Sequence, residues 1–429
     1  MNYFQSSFSV ADMFAAISEH ARRADAALDV RSSVSDILAD IRVRGDGAVS
    51  ELAARFDSAT LDPAEFRLTE AQILAAGESL SAQGRAHVAY AHERLKAYAE
   101  HQRPASQRHV DANGSILEDR YVPVRRVACY IPGGTAPLVS TALHTVAFAK
   151  AAGVPEIVAI SPPTFEGSLH PATIHAAHLA GATEIYRLGG VYGIAAMAFG
   201  TSSIRKVDLI CGPGNAYVQE AKRQVFGAVA VDMIAGPSEV LVIADEPMVP
   251  GTVATDLLAQ LEHGTRLERA FMISTSQRLC EAVYDSLKHT QSLGEARTRR
   301  VNFSNIFVCH VASIDDACEL SNLIGPEHLE LSIADPRAAL ELIVNAGAVF
   351  LGQNTPESVG DFIAGPSHVL PTRGGSASFS GLSTHTFMKR MSVVEYTRKG
   401  LEEGIPSLSF FADTEGLPFH KLAATERLN

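Results

Sequence analysis

The chain has 429 residues, too many for one hydrophobic core and enough for roughly two to four packed units. Its 46% hydrophobic and 20% charged residues exclude a disordered chain, and a formal net charge of -12 speaks against a nucleic-acid binder, which needs a basic face for phosphates. Small-molecule chemistry is the class left standing.

The opening MNYFQSSFSVADMF has no basic segment followed by a long apolar run, so no leader is expected. Nowhere do about 18 apolar residues follow one another, so no membrane span is expected either. From Val30 to about Gln102 apolar residues recur at three-and-four spacing. That period predicts helices over VSDILADIRVRG and AVSELAARF, parted by Gly45 and Gly47, and a further run from Thr69 through AHERLKAYAEHQ.

Near Ile116 the rhythm changes to short apolar strands alternating with helices: RRVACYIP, STALHTVAFAKAAG, EIVAISPP, TIHAAHLAGA, EIYRLGG, IAAMAFG, VDLICGPG, NAYVQEAKRQVFG. The alternation continues through SEVLVIAD, VATDLLAQLEHG, RAFMIST, QRLCEAVYDSLKH, NIFVCH, DDACELSNLI and AALELIVNAG into AVFLG. Such alternation builds βαβ units, so the fold class expected is α/β with two parallel sheets of similar size. After about Ser383 the tail reads as short and mixed, with a helix near HTFMKRM. Cys129, Cys211, Cys280, Cys309 and Cys318 are odd in number and mostly set in apolar runs, the usage of buried reduced thiols in a cytoplasmic protein.

No G-x-G-x-x-G joins a first strand to its helix. Three other glycine turns close predicted strands: Pro132-Gly133-Gly134, Gly189-Gly190 with Gly193, and Gly212-Pro213-Gly214-Asn215. Any one suits a plain βα turn; three on one sheet edge favour a ligand there.

Gln260 and His263 sit three apart at a predicted helix end, one face presenting both side chains as metal ligands must be presented. They would serve equally as a helix C-terminus with His263 at the negative dipole end and Gly264 as cap. Glu327 and His328 follow Gly325-Pro326 and place a carboxylate beside an imidazole, a pairing suited to proton transfer or to a capping glutamate next to a half-buried histidine. Asp361, His368, Glu415 and His420 add further proton carriers and hard or borderline metal ligands.

Taken together, VRGDGAVSELAARFD, RVACYIPGGTAP, VDLICGPGNAYVQEAKRQV, IAGPSEVLVIAD, DLLAQLEHG, GPEHLEL, SVGDFIAGPSHVLPT and EGLPFH resemble the histidinol dehydrogenase family, in order and over nearly the whole chain. The resemblance implies zinc held by Gln260, His263, Asp361 and His420, one ion per subunit. It implies His328 as general base and Glu327 as the residue activating water. Ser238, His368 and Glu415 would contact substrate, together with the zinc ligands and the catalytic pair. Tyr130 and Asn215 would contact NAD, with Tyr192 at the remaining cofactor position.

The same resemblance implies incomplete Rossmann-like domains: an N-terminal extension 1–24, a first domain of 25–129 and 239–382 with the zinc and catalytic residues, and a second of 130–238 with the NAD contacts. A C-terminal extension 383–429 would complete the site of a partner in a homodimer. The implied activity is oxidation of L-histidinol to L-histidine with NAD, through a bound aldehyde.

Three departures touch the pockets. Tyr192 stands where the family has glutamine, Ser367 where it has asparagine, and Pro137, Leu138, Val139, Ser140 and His144 replace the usual run after the first glycine turn. They leave room for a relative oxidising another polar alcohol, amino or sulfonated, or an anionic diol with Arg373 or Lys421 as counter-charge. A catalytically silent α/β scaffold that binds nucleotide or metal is the remaining alternative.

Overall fold

The computed structural model describes every residue except 26–28, 134–135, 247 and 295–298, so Gly134 of the first glycine turn lies outside the described residues. The chain divides into two units, Met1–Gln102 with Arg125–Phe387, and Arg103–Val124 with Met388–Asn429.

In the first unit a six-stranded sheet runs Asn2–Phe4, Ile306–His310, Arg269–Ser274, Glu239–Ala244, His328–Ser332, Ala348–Leu351, every neighbour parallel. Helices cover both faces, which is why SEVLVIAD and RAFMIS are continuous apolar runs rather than alternating ones. Helices Pro250–Leu261 and Gln277–Leu293 bury Val253, Leu257, Leu279 and Val283 on one face. Ile314–Ile324 and Val10–Asp25 bury Leu320, Met13 and Ile17 on the other. Asn2–Phe4 is thus an edge strand of this sheet and not part of a separate extension.

The second parallel sheet has five strands, ordered Glu184–Tyr186, Glu156–Ile160, Arg126–Tyr130, Leu209–Cys211, Ala230–Val231. Helices Arg31–Arg44 and Asp46–Asp57 pack Leu38, Ile41, Val49 and Leu52 into one core with Ile194, Met197 and Val218. Within the expected 25–129 segment, these helices and the Arg126–Tyr130 strand pack with the second sheet. Their apolar stripes show that they need a partner, but periodicity does not say which sheet supplies it.

The second unit is an antiparallel sheet of Gln107–Val110, Ile116–Pro123 and Met388–Glu395, followed by helices Arg398–Thr414 and Pro418–Thr425. The predicted helix near HTFMKRM is instead a short 3-10 turn, Thr384–Phe387, and then that strand. All eight of its residues pair with Ile116–Pro123, a long-range partner invisible to local pattern. The five cysteines are buried and unbridged, and no helix among the described residues is long and apolar enough to cross a membrane.

Candidate active site

Glu239, the first residue of its strand, ties Glu327 and His328 together. Its backbone N–H donates to Glu327 Oε2 at 2.9 Å, and its carbonyl lies 3.1 Å from His328 Nδ1. A carbonyl only accepts, so Nδ1 carries the proton and Nε2 the lone pair. That Nε2 is buried, has no hydrogen-bond partner, and stands 3.7 Å from Asp361 Oδ1.

Burial pulls the His328 imidazole below its ordinary range, against the opposing pull of Asp361, and so favours the neutral base. Burial pushes the Glu327 carboxyl well above its ordinary range, with Glu239 and Asp361 adding to the effect. Ser238 hydrogen-bonds the same carboxyl. Glu327 precedes the strand that His328 opens, so the adjacent pair escapes strand alternation and its side chains meet, Oε2 3.7 Å from Nδ1.

Sequence reasoning missed Glu239. Its only signal was a carboxylate at the head of an apolar strand, and the structure shows why it is there: Oε1 accepts from Arg269 Nε at 2.7 Å and Oε2 from Arg373 N at 3.0 Å. The site also lies at the amino ends of the six-stranded sheet, whereas the glycine turns lie at carboxyl ends of the five-stranded one.

Gln260 occupies the last turn of Pro250–Leu261, fully buried, and His263 follows the helix end. His263 Nδ1 bonds Gln260 O at 3.0 Å, which leaves its Nε2 lone pair free, the arrangement of an imidazole poised as a ligand. Gln260 is packed between Glu357, His328 and His263: in one amide orientation its Nε2 lies 2.9 Å from Glu357 Oε2 and 3.1 Å from His328 Nδ1, in the other 3.4 Å from His263 Nδ1, and a protonated His328 Nδ1 requires the second. Among the described residues no group of three or more His, Cys, Asp or Glu side chains stands close enough to hold a metal. By chemistry alone, the Gln260 amide oxygen, the His263 imidazole and the Asp361 carboxylate are donor types that suit zinc.

His368 Nδ1 donates to Asp361 O at 2.9 Å, and its Nε2 meets Thr141 Oγ1 at 3.2 Å. The His144 ring stacks on the His368 ring at 3.9 Å and 3°, and its Nδ1 accepts the His368 N–H at 3.0 Å. Ser367 Oγ donates to the His144 carbonyl at 3.1 Å. Two of the departures noted in the sequence therefore touch each other and the expected substrate histidine. Helix Val139–Ala152, which leaves the carboxyl edge of the five-stranded sheet, supplies Thr141 and His144. A cavity of about 690 Å³ opens beside them, lined by His328, Ser367, His368, Tyr98 and His385.

Behind the pair lies a run of buried carboxyls. Glu357 contacts Gln260, and its N–H donates to Glu330 Oε1 at 2.7 Å. Burial, with Asp256 nearby, pushes Glu330 up to about 8. The folded state therefore holds this proton more tightly than the unfolded chain does. Its contribution to stability is complete below the unfolded carboxyl range and is lost as pH rises through about 8. Glu330→Gln should match the parent's Tm near pH 4 and exceed it by several degrees at pH 9. A Tm difference that does not change with pH would show that Glu330 does not titrate this way.

At the glycine turns, Tyr130 is buried and its hydroxyl accepts from Gly190 N at 3.3 Å. Asn215 caps helix Ala216–Val225 through Oδ1, which accepts from Tyr217 N and Val218 N at 3.1 Å each and leaves the exposed side chain's Nδ2 for a ligand. Tyr192 differs from expectation: it is 1% exposed, packed in the core, and its hydroxyl donates to Asp57 Oδ2. A phenol so placed shapes the turn from below.

Tyr192→Phe should lower stability by about 1–2 kcal/mol, because Asp57 loses its donor, while the KM for NAD stays unchanged. A raised NAD constant at unchanged Tm would return Tyr192 to the cofactor surface. In the second unit Glu415 ends helix Arg398–Thr414 and His420 sits in Pro418–Thr425, both exposed, while Lys421 pairs with Asp413 at 2.7 Å.

The family model for histidinol dehydrogenase matches residues 20–428. Histidinol dehydrogenase of Heliobacterium mobile is 41% identical over 402 residues, 93% of this chain and 94% of the relative. That of Ruegeria pomeroyi is 41% identical over 403 residues, 94% of this chain and 93% of the relative. The crystal structure of histidinol dehydrogenase from Elizabethkingia anophelis superposes with a TM-score of 0.88 at 34% identity, covering 94% of this chain and 92% of that one.

Proposed function

This chain belongs to the histidinol dehydrogenase family, and from that premise we propose that it is a zinc-dependent, NAD-linked enzyme oxidising L-histidinol to L-histidine through a bound aldehyde. The observation that carries this is His328, with Nδ1 tied to Glu239 O and an unpartnered Nε2 beside Asp361. Overall, alcohol, water and two NAD⁺ would give carboxylate, two NADH and three protons. The site must therefore accept protons as well as hold substrate.

Gln260, His263 and Asp361 would hold zinc together with His420 of the partner subunit, and Tyr130 and Asn215 would line the NAD site. When bound, zinc would fix the substrate's imidazole and amine without changing oxidation state, and NAD would take up the hydrides. His328 Nε2 is free to accept the alcohol proton, and its tether to Glu239 keeps the ring aimed as the proton arrives. Glu327, made more basic by burial and steadied by Ser238 and Glu239 N, is suited to activate the water that adds to the aldehyde.

Ser238, His368 and Glu415 of the partner subunit would complete the substrate contacts. A homodimer fits the second unit, where Phe410, Phe411 and Phe419 are 65%, 60% and 80% exposed in the single chain. Five unbridged thiols support a cytoplasmic setting.

A second reading keeps this machinery and changes the alcohol. It is favoured by the contact of His144 and Ser367 with one another and with His368. The test is NADH formation by purified zinc-loaded protein with L-histidinol against a panel of amino and sulfonated alcohols. Two NADH per histidinol is the expected result, and turnover confined to another alcohol would favour the second reading. His263→Ala should release zinc with secondary structure retained; full zinc occupancy by elemental analysis would remove the ligand assignment.

A further inference from the structure

Beneath the Gly212–Asn215 turn lies an ion pair that the chemistry above does not use. Lys222 Nζ is 2.6 Å from Asp232 Oδ1, and both side chains are 0% exposed. Removing two charges from water is costly, and apolar residues of similar size often stabilise such a position as well or better. Stability alone is therefore a poor reason for the pair.

The remaining bonds suggest another reason. Lys222 Nζ donates to Gly212 O at 2.8 Å, and Gly212 N donates to Asp232 Oδ2 at 2.8 Å. One ion pair thus grips both polar groups of a single peptide residue. Gly212 has φ +115, where side chains are strained, and a Cβ there would collide with the Tyr130 carbonyl. The gripped residue joins strand Leu209–Cys211 to the turn that carries Asn215, and it packs against the backbone of Tyr130.

We propose that Lys222 and Asp232 are positioning residues that hold the Gly212–Asn215 turn in its cofactor-binding shape before the dinucleotide arrives. The proposal rests on the NAD reading above. A turn already in its bound shape spares the ligand the ordering cost that a loose turn would charge on binding. Neither side chain touches the ligand; both act through Gly212.

The test pairs a variant with a measurement on the unaltered protein. Replacing both charges together, Lys222→Met with Asp232→Leu, leaves no unpaired buried ion and should fold. NADH affinity, read by fluorescence or calorimetry on the full-length dimer, should weaken at least tenfold, with the KM for the alcohol within twofold of the parent. A folded double variant that binds NADH within twofold of the parent overturns the proposal and leaves the NAD reading intact. A parent that binds no NADH overturns both.

Hydrogen exchange on the parent gives a readout that does not depend on the variant folding. The peptide containing Gly212 should exchange slowly before NADH is added. Protection that appears only with NADH would show that the ligand, not the ion pair, orders the turn, and would defeat the proposal.

Discussion

Replacing His328 with alanine should cut turnover about 10²–10⁴-fold while substrate still binds, because the alcohol proton loses its acceptor. The expectation comes from the unpartnered Nε2 and from the bond between Nδ1 and Glu239 O, which together leave one nitrogen free and aimed. Loss of that bond should cost only about 1 kcal/mol of stability, so the melting curve separates a lost base from a lost fold. Glu327→Gln should act differently: it keeps an acceptor for Glu239 N and slows aldehyde oxidation more than alcohol oxidation. Rates near the parent's from both variants on both half-reactions would withdraw both roles.

The second large effect is a recovery of activity. A His328→Ala chain and a His420→Ala chain should each be inactive alone and regain activity on mixing, if the second unit of one subunit completes the site of the other. Random reassortment makes half the dimers hybrid, and one of the two sites in each hybrid would be intact, so about a quarter of all sites should work. The test matters because the proposed ligands Gln260, His263 and Asp361 would make only part of a zinc shell, while His420, the fourth, is exposed in the other unit of its own chain. No recovery after confirmed subunit exchange would mean that each chain builds its own site.

The carboxyls behind the site set limits on how such variants are assayed. Glu330, raised to about 8, and Asp256, raised to about 6, both lose protons across the usual assay range. A comparison of variants at one pH would mix changes in catalysis with changes in stability, so melting curves belong at each pH used.

Local pattern determined much of this protein. Continuous apolar runs such as SEVLVIAD and RAFMIS announced strands buried on both faces, and the spacing of Gln260 and His263 placed both at a helix end, where the structure has them. Residue order also brought Glu327 and His328 together, because neighbours in the chain cannot be far apart. These features depend on residues close in sequence, for which spacing and chemistry are enough.

Only the tertiary structure decided the rest, each time through a partner distant in the chain. Met388–Glu395 is a strand because Ile116–Pro123 lies beside it, and Arg31–Arg44 joins the five-stranded sheet because Ile194 and Met197 offer it an apolar surface. Glu239 became visible only when parallel pairing set its strand against that of His328, giving its N–H to Glu327 and its carbonyl to His328. Tyr192 read as a cofactor contact in the sequence and proved to be buried against Asp57, since a glycine turn shows where the backbone bends but not which way the next side chain faces. Hydrogen bonds and burial between distant segments are properties of the folded chain, and no period or motif within one segment encodes them.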